Sequence, residues 1–527
     1  MDQSDDRRRG KGLDRRSVLR LTSGAVAGAA VNSMAKTSQA APDASDIVMM
    51  DATGLTKAIR SREVSCVEVM GAYLDHIERL NPRFNAIVAL QDRTALLAQA
   101  QARDAQLARG ESVGPLHGLP HAVKDLQPVE GLRFTQGSPI FRDTVAATDS
   151  IMVERLRAAG VIFIGKTNTP EFGLGSHTYN PVYGVTRNAY DPAKSAGGSS
   201  GGAAVSLALR MLPLADGSDY GGSLRNPAGW NNVFGFRTSA GRVPAHGKED
   251  WLPSMGVAGP MARNVADLAL LLSVQAGYDP RAPLSMESDG AQFRGPLSAA
   301  LKGKRVAWGG DFKGFAPYEP GVLETCRAAL KTFEDLGCVV EEAIPDYPLE
   351  KVWQAFIRLR GWQQGGAIAE YARDPARRAL LKPEAIWEIE QGARLSAYDV
   401  AADSVIRTDW SQAVRRFFEH YDYLIVPTAQ VFPFDAAETW PHEIAGQRMR
   451  TYHEWMKAVC LVTMSGCPAL AVPAGLGPPG LGHQGLPMGL QIVAPVHREM
   501  DCLRLAAAYE QAAPLSARRL PPAISQA

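Results

Sequence analysis

Three short segments of this chain carry residues that could do chemistry at neutral pH. HAVKD places Lys124 behind two apolar residues and ahead of Asp125 and Leu126. SAGGSSGG, Ser195 to Gly202, packs four glycines and three serines into eight residues. DYGGSLRNPAG sets Ser223 directly behind two glycines. A serine hydroxyl is a poor nucleophile until a neighbouring base takes its proton. A solvated lysine, with a pKa of about 10.4, is no base at pH 7. Burial among hydroxyls and backbone dipoles penalises the ammonium and lowers that value. Bringing it near neutrality costs the fold roughly 4 kcal/mol. Lysine-assisted serine chemistry therefore demands a buried lysine, and Ala122, Val123 and Leu126 supply apolar surroundings for one. Each residue also has an ordinary reading when taken singly: a strand-end surface lysine, a spacer serine in a Gly/Ser linker, a helix N-cap serine.

Two other patterns compete for the same residues. GVIFIGKT, Gly160 to Thr167, spells GxxxxGK[ST]. A phosphate loop must wrap its backbone N–H groups around phosphates, and Val-Ile-Phe-Ile in the middle reads instead as a buried strand. Gly197 to Gly201 spells GxSxG, with Ser199 at the elbow. The preceding AYDPAKSA is turn-like, whereas a nucleophile elbow needs a strand there.

The elements that must position these residues follow from apolar periodicity. Helical spacing runs from Asp51 to Leu80, with Asn81-Pro82 as its stop, and again from Asp92 to Leu107. Leu119 to Val123 reads as a short strand ending at Lys124, Met152 to Ala159 as a helix, and Val161 to Gly165 as a buried strand. AAVSLALRM after the glycine run is a helix, and LPLADGSD is a strand leading into YGGS. Further strands are KRVAWGGD, CVVEEA, YDYLIVPT, PALAVPAG and GLPMGLQIVAP. Pro320 to Leu336 and most of residues 350 to 420 are helical. Strands alternating with helices imply an α/β fold. There is no internal repeat and no spacer long enough to separate domains.

The chain has 527 residues, of which 46% are hydrophobic and 21% charged, so most of it can build a globular core. A net charge of +1 provides no global field for nucleic acid or an anionic membrane. Residues 1 to about 40 stand apart. Arg15-Arg16 precedes the mild apolar run TSGAVAGAAV, and Ser38-Gln39-Ala40 offers a small-x-small cleavage site. That is the layout of a twin-arginine-type signal peptide. It implies the twin-arginine export machinery as a partner, a periplasmic or secreted mature protein, and a domain of residues 41–527. The apolar run is too short for stable membrane insertion. The six cysteines lack CxxC spacing, which speaks against a metal or redox site and for small buried hydrophobes.

The contexts of Lys124, Ser199 and Ser223, with KTNTPEFG, YGVTRNAYDP, YDYLIVPT, SGCPALAVPAG and GLPMGLQIV, resemble the amidase signature family of serine hydrolases. The resemblance runs from about Asp51 to Ala513 and is densest from about residue 116 to 260. It implies an α/β/α sandwich with a large twisted mixed sheet covered by helices. It also implies hydrolysis of a carboxamide through an acyl-enzyme, with esters or carbamates open to the same chemistry. By resemblance, Ser223 is the nucleophile, Ser199 the proton relay and Lys124 the base. The Gly198–Ser199 peptide is cis, and Ser200 supports Lys124 or the loop. The backbone of Tyr220, Gly221, Gly222 and Ser223 forms the oxyanion hole; the family usually has a small residue where Tyr220 stands. No metal or organic cofactor is implied, and neither His121 nor His177 takes a triad role.

Arg225 reads as a loop anchor more than a substrate-carboxylate grip, and Asp216 and Asp219 as loop hydrogen-bonders. Phe134, Tyr179, Trp230, Trp251 and Met255 are candidates for an apolar pocket wall, with a core role equally open to each. Two other functions fit the same residues. One is the amidase-like component of a tRNA-dependent amidotransferase, which needs partner subunits and which the signal sequence disfavours. The other is a catalytically silent binding protein on the same fold. The particular amide and the oligomeric state, a homo-oligomer included, are not legible.

Overall fold

A computed structural model describes residues 43–111, 113–252 and 254–525. The signal-like segment lies outside them. The described residues belong to one unit, Pro42–Ala527. Its strands in chain order are β1 (Ile87–Val88), β2 (Pro120–Lys124), β3 (Ile162–Thr167), β4 (Tyr179–Asn180) and β5 (Gly184–Val185). Then come β6 (Ala215–Asp219), β7 (Phe234–Arg237), β8 (Val257–Ala262), β9 (Arg305–Trp308) and β10 (Val339–Glu342). The last are β11 (Tyr423–Pro427), β12 (Glu443–Ile444), β13 (Gln447–Arg448), β14 (Ala469–Leu476) and β15 (Pro487–Val493).

Eight of these form one mixed sheet in the order β10-β9-β11-β15-β14-β7-β8-β6. Pairing is parallel where β9 meets β10 and β11, and antiparallel elsewhere. Its central strands read as apolar runs because helices cover both faces: β11, β15 and most of β14 are buried throughout. β2 is not in this sheet. It pairs in parallel with β3 in a three-stranded sheet β1-β3-β2, so the lysine and the two serines come from different substructures.

The strand and helix expectations land within a few residues of the observed elements, with two corrections near the N-terminus. The periodic stretch from Asp51 is two helices, Ala52–Ser61 and Cys66–Phe84. Ser65 and Glu68 form a reciprocal capping box that starts the second helix, and Arg62 at φ 60° closes the first. Pro82 does not stop the second helix but lies inside its last turn. Phe84, buried in the core, holds that turn, and Asn81 ties the exit by accepting from the amides of Ala86 and Ile87. The phosphate-loop spelling is settled as well: β3 runs through it, buried at every position. All six cysteines are free and buried.

Candidate active site

Strand alternation places Asp216 and Ser218 on the same face of β6, and that face meets the end of β2. The Lys124 ammonium is fully buried and donates to three hydroxyls: Ser199 Oγ at 2.7 Å, Ser200 Oγ at 2.9 Å and Ser218 Oγ at 3.0 Å. Among the described residues no carboxylate lies within ion-pair distance of it. Burial pulls its pKa down to about 7, and the charges of Asp216 and Asp219 act against that fall. Ser200 is the N-cap of the helix Gly201–Ala208, whose positive end also disfavours an ammonium. Burial thus brings the lysine into the range in which an amine can exchange a proton near neutral pH.

SAGGSSGG is a buried loop running into the helix Gly201–Ala208 rather than a spacer, since every residue from Ser195 to Gly202 is buried. Gly197 sits at φ 73°, where a Cβ would come within 2.5 Å of Asn226 Oδ1, so both conformation and space require glycine. The Gly198–Ser199 peptide is cis. Ser195 Oγ bonds the Nδ1 of His177 at 2.7 Å. Burial lowers that imidazole to about 4, which leaves it a neutral fastening for the loop. The Ser200 amide donates to the Ser223 carbonyl at 3.2 Å, tying the two serine segments together.

Asp219 shapes the segment that carries Ser223. Its Oδ1 accepts the Gly222 amide at 3.0 Å and its Oδ2 the Leu224 amide at 3.1 Å. Burial alone would raise the Asp219 carboxyl, but Arg225 and Arg237 hold it well below the usual range. Arg225 spends all five of its N–H donors inside the protein. Two go to Asp219, and the others to the Val459 carbonyl, Gln491 and Thr463. It has none left for a substrate, so the anchoring role holds, although RNPAG forms a short helix, Arg225–Trp230, rather than a loop. Gly222 has φ 98°, and a Cβ there would lie 2.5 Å from Val459. With the Gly222 amide given to Asp219, the amides of Tyr220, Gly221 and Ser223 meet no acceptor among the described residues.

Ser199, Ser218, Tyr220 and Ser223 all line one cavity of about 340 Å³. Ser223 is 7% exposed, Ser199 2% and Lys124 0%, so accessibility falls from Ser223 inward. The walls are Leu126, Phe172, Val243 and Leu284, with Arg360, Gln364, His246, Glu249 and Asp250 adding polar groups. None of the five aromatic and methionine candidates is among these lining residues. Trp230 is in the core, stacked on Trp455, and Met255 is fully buried. Phe134 packs against the Lys166 ammonium, and Tyr179 bonds Glu384. Trp251 points outward, 73% exposed, on a segment whose neighbours Glu249 and Asp250 form the rim. Aromatic size alone did not tell wall from core. Sequence reasoning also missed Ser218, which strand alternation with Asp216 could have revealed. Arg360, at the end of the helix Leu349–Arg360, and the 240–250 segment gave no local signal.

An eight-stranded mixed sheet thus lies under helices, with a buried lysine sharing hydroxyls beside a serine-lined cavity. The chain belongs to the Amidase family, whose model matches residues 68–503. It is 34% identical over 468 residues to the acylamidase of Rhodococcus erythropolis, covering 88% of this chain and 96% of that one. It is 32% identical over 504 residues to the A-type subunit of the glutamyl-tRNA(Gln) amidotransferase of Nocardia farcinica, covering 89% and 99%. Among solved structures it resembles a bacterial aryl acylamidase of the amidase signature family, with TM-score 0.81, 28% identity and coverage of 90% and 96%. It also resembles 6-aminohexanoate cyclic dimer hydrolase, with TM-score 0.77, 26% identity and coverage of 91% and 100%.

Proposed function

We propose that this amidase acts on its own on a small-molecule carboxamide, through an acyl-enzyme on Ser223 with Ser199 as relay and Lys124 as base. The observation that carries the reading is the Lys124 ammonium. It is buried, bonded only to hydroxyls among the described residues, and one hydrogen bond away from a serine that shares a cavity with Ser223. Ser223 Oγ attacks the carbonyl carbon as its proton passes to Ser199, whose own proton passes to Lys124. The carbonyl oxygen becomes an oxyanion facing the unpaired amides of the Tyr220–Ser223 segment. Because Gly222's amide is held by Asp219, the donors are Tyr220, Gly221 and Ser223. The C–N bond then breaks, and the amine leaves with a proton returned through Ser199. Water repeats the sequence on the ester, releasing the acid and restoring Ser223.

The test is labelling by a fluorophosphonate probe, in which Ser223 Oγ displaces fluoride from phosphorus. One adduct on Ser223, absent in Ser223→Ala, is the expected result; an unlabelled folded protein would return the chain to the silent-binding reading. Because Lys124 must be the free amine, labelling falls as pH drops below about 7. Relatives that are A-type amidotransferase subunits support a second reading. Hydrolysis of an amide panel by the purified chain alone argues for the first, and activity only with added partner subunits for the second. We further propose that residues 1–40 direct export to the periplasm. Replacing Arg15 and Arg16 together by lysine then leaves the protein in the cytoplasm, and unchanged fractionation would sink that idea.

A further inference from the structure

Beside Lys124 lies a buried pair that the proton relay does not use. His121 and Asp216 are 1% and 0% exposed, and His121 Nε2 bonds Asp216 Oδ1 at 3.0 Å. The other carboxylate oxygen, Oδ2, accepts the backbone amide of Lys124 at 3.2 Å. This one carboxylate thus joins β2, in the small sheet, to β6, at the edge of the large one, where no backbone ladder runs between them. The β2–β3 ladder shifts register between His121 and Ala122, where β3 carries the extra residue Ile164, and the His121 imidazole and the Lys124 amide both reach Asp216. A buried carboxylate is costly unless paired and hydrogen-bonded, and here its partners are one imidazole and one amide.

We propose that the His121–Asp216 pair is a positioning unit for the Lys124 base: it clamps the end of β2 to β6 and sets one negative charge beside the buried amine, fixing the pH at which that amine becomes free. The other charged groups around the lysine are largely spoken for. Asp219 is paired with Arg225 and Arg237. Asp125, next in the chain, faces Lys166 of β3 at 3.9 Å. The helix Gly201–Ala208 and β8, which pack on the same strands, carry no titratable side chain, and the ring edge-on to His121 is Phe163. Asp216 is therefore the carboxylate near Lys124 whose charge no arginine or lysine cancels at contact distance. It opposes the effect of burial on Lys124.

The inference rests on Lys124 acting as base toward Ser223, and its test separates the two. The rate of fluorophosphonate labelling is measured against pH in the native protein, Asp216→Asn and Asp216→Glu, with melting temperatures alongside. Without the carboxylate charge the ammonium loses its proton more readily. The acid limb of Asp216→Asn moves down by at least about half a pH unit, retaining roughly threefold more of its plateau rate below the midpoint. Asp216→Glu returns the limb toward its native place. Should the asparagine variant not fold, Asp216→Ser removes the same charge, keeps an acceptor for the Lys124 amide and is read identically. A charge-free, folded variant that loses rate with an unmoved limb makes the pair a structural clamp only and overturns the inference. A native protein that is not labelled at all defeats the parent reading instead.

Discussion

Lys124 and Arg225 are both wholly buried cations beside the same strand end, yet the protein treats them in opposite ways. Arg225 meets Asp219 through two parallel hydrogen bonds and fills its remaining donors with a carbonyl, an amide and a hydroxyl. Its charge is cancelled, and the pair holds the turn from which Ser223 projects. Lys124 meets three hydroxyls and no carboxylate at contact distance. Its charge is left to bear the cost of burial, and the amine becomes easy to deprotonate. Around one end of β6, full pairing produces a rigid brace, and withheld pairing leaves the amine to which the proposed mechanism gives the role of base.

The comparison breaks most sharply at Lys124. Lys124→Met keeps the length and removes the charge, so labelling and amide hydrolysis fall by about a thousandfold or more, as for loss of a general base. The melting temperature does not fall, because a costly buried cation has been replaced by an apolar side chain. A variant that is both inactive and strongly destabilised would show that Lys124 belongs with the structural ions. The mirror experiment is Asp219→Asn. It leaves Arg225 and Arg237 facing a neutral amide, and denaturant unfolding registers a loss of about 3 kcal/mol or more. Unchanged stability would mean that the surrounding acceptors suffice to hold Arg225 without its counter-charge. The smallest effect concerns Tyr220, whose hydroxyl donates to Gln363 at 2.7 Å while its ring lines the cavity. Tyr220→Phe loses one hydrogen bond, about 1 kcal/mol. Hydrolysis changes by less than about tenfold, because the proposed mechanism assigns oxyanion donation to backbone amides. A larger loss would assign the hydroxyl a direct role in catalysis.

These residues also mark what could be read from the chain. Strand and helix positions were legible because apolar periodicity and turn residues act locally, as in β3, where Val-Ile-Phe-Ile overrode a phosphate-loop spelling. The break at Arg62 and the helical turn through Pro82 were not, since a capping box and the side-chain bonds of Asn81 outweighed periodicity. Lys124, Ser199 and Ser223 stood out through the resemblance of several separated motifs to one family; taken singly, each had an ordinary reading.

What the sequence determined by itself was the set of candidate reactive groups, the alternation that builds the sheet, and the family to which the chain belongs. The tertiary structure alone decided which charges were paired. Lys124, Asp216, Asp219 and Arg225 are four ionisable residues of similar standing in the chain, and one of them is left free to lose its proton. That outcome depends on angstrom-scale distances between strands of two different sheets. The cavity wall was likewise a tertiary decision. Trp230 was a candidate for the wall and Arg360 carried no local signal, and only packing sent the tryptophan to the core and the arginine to the site.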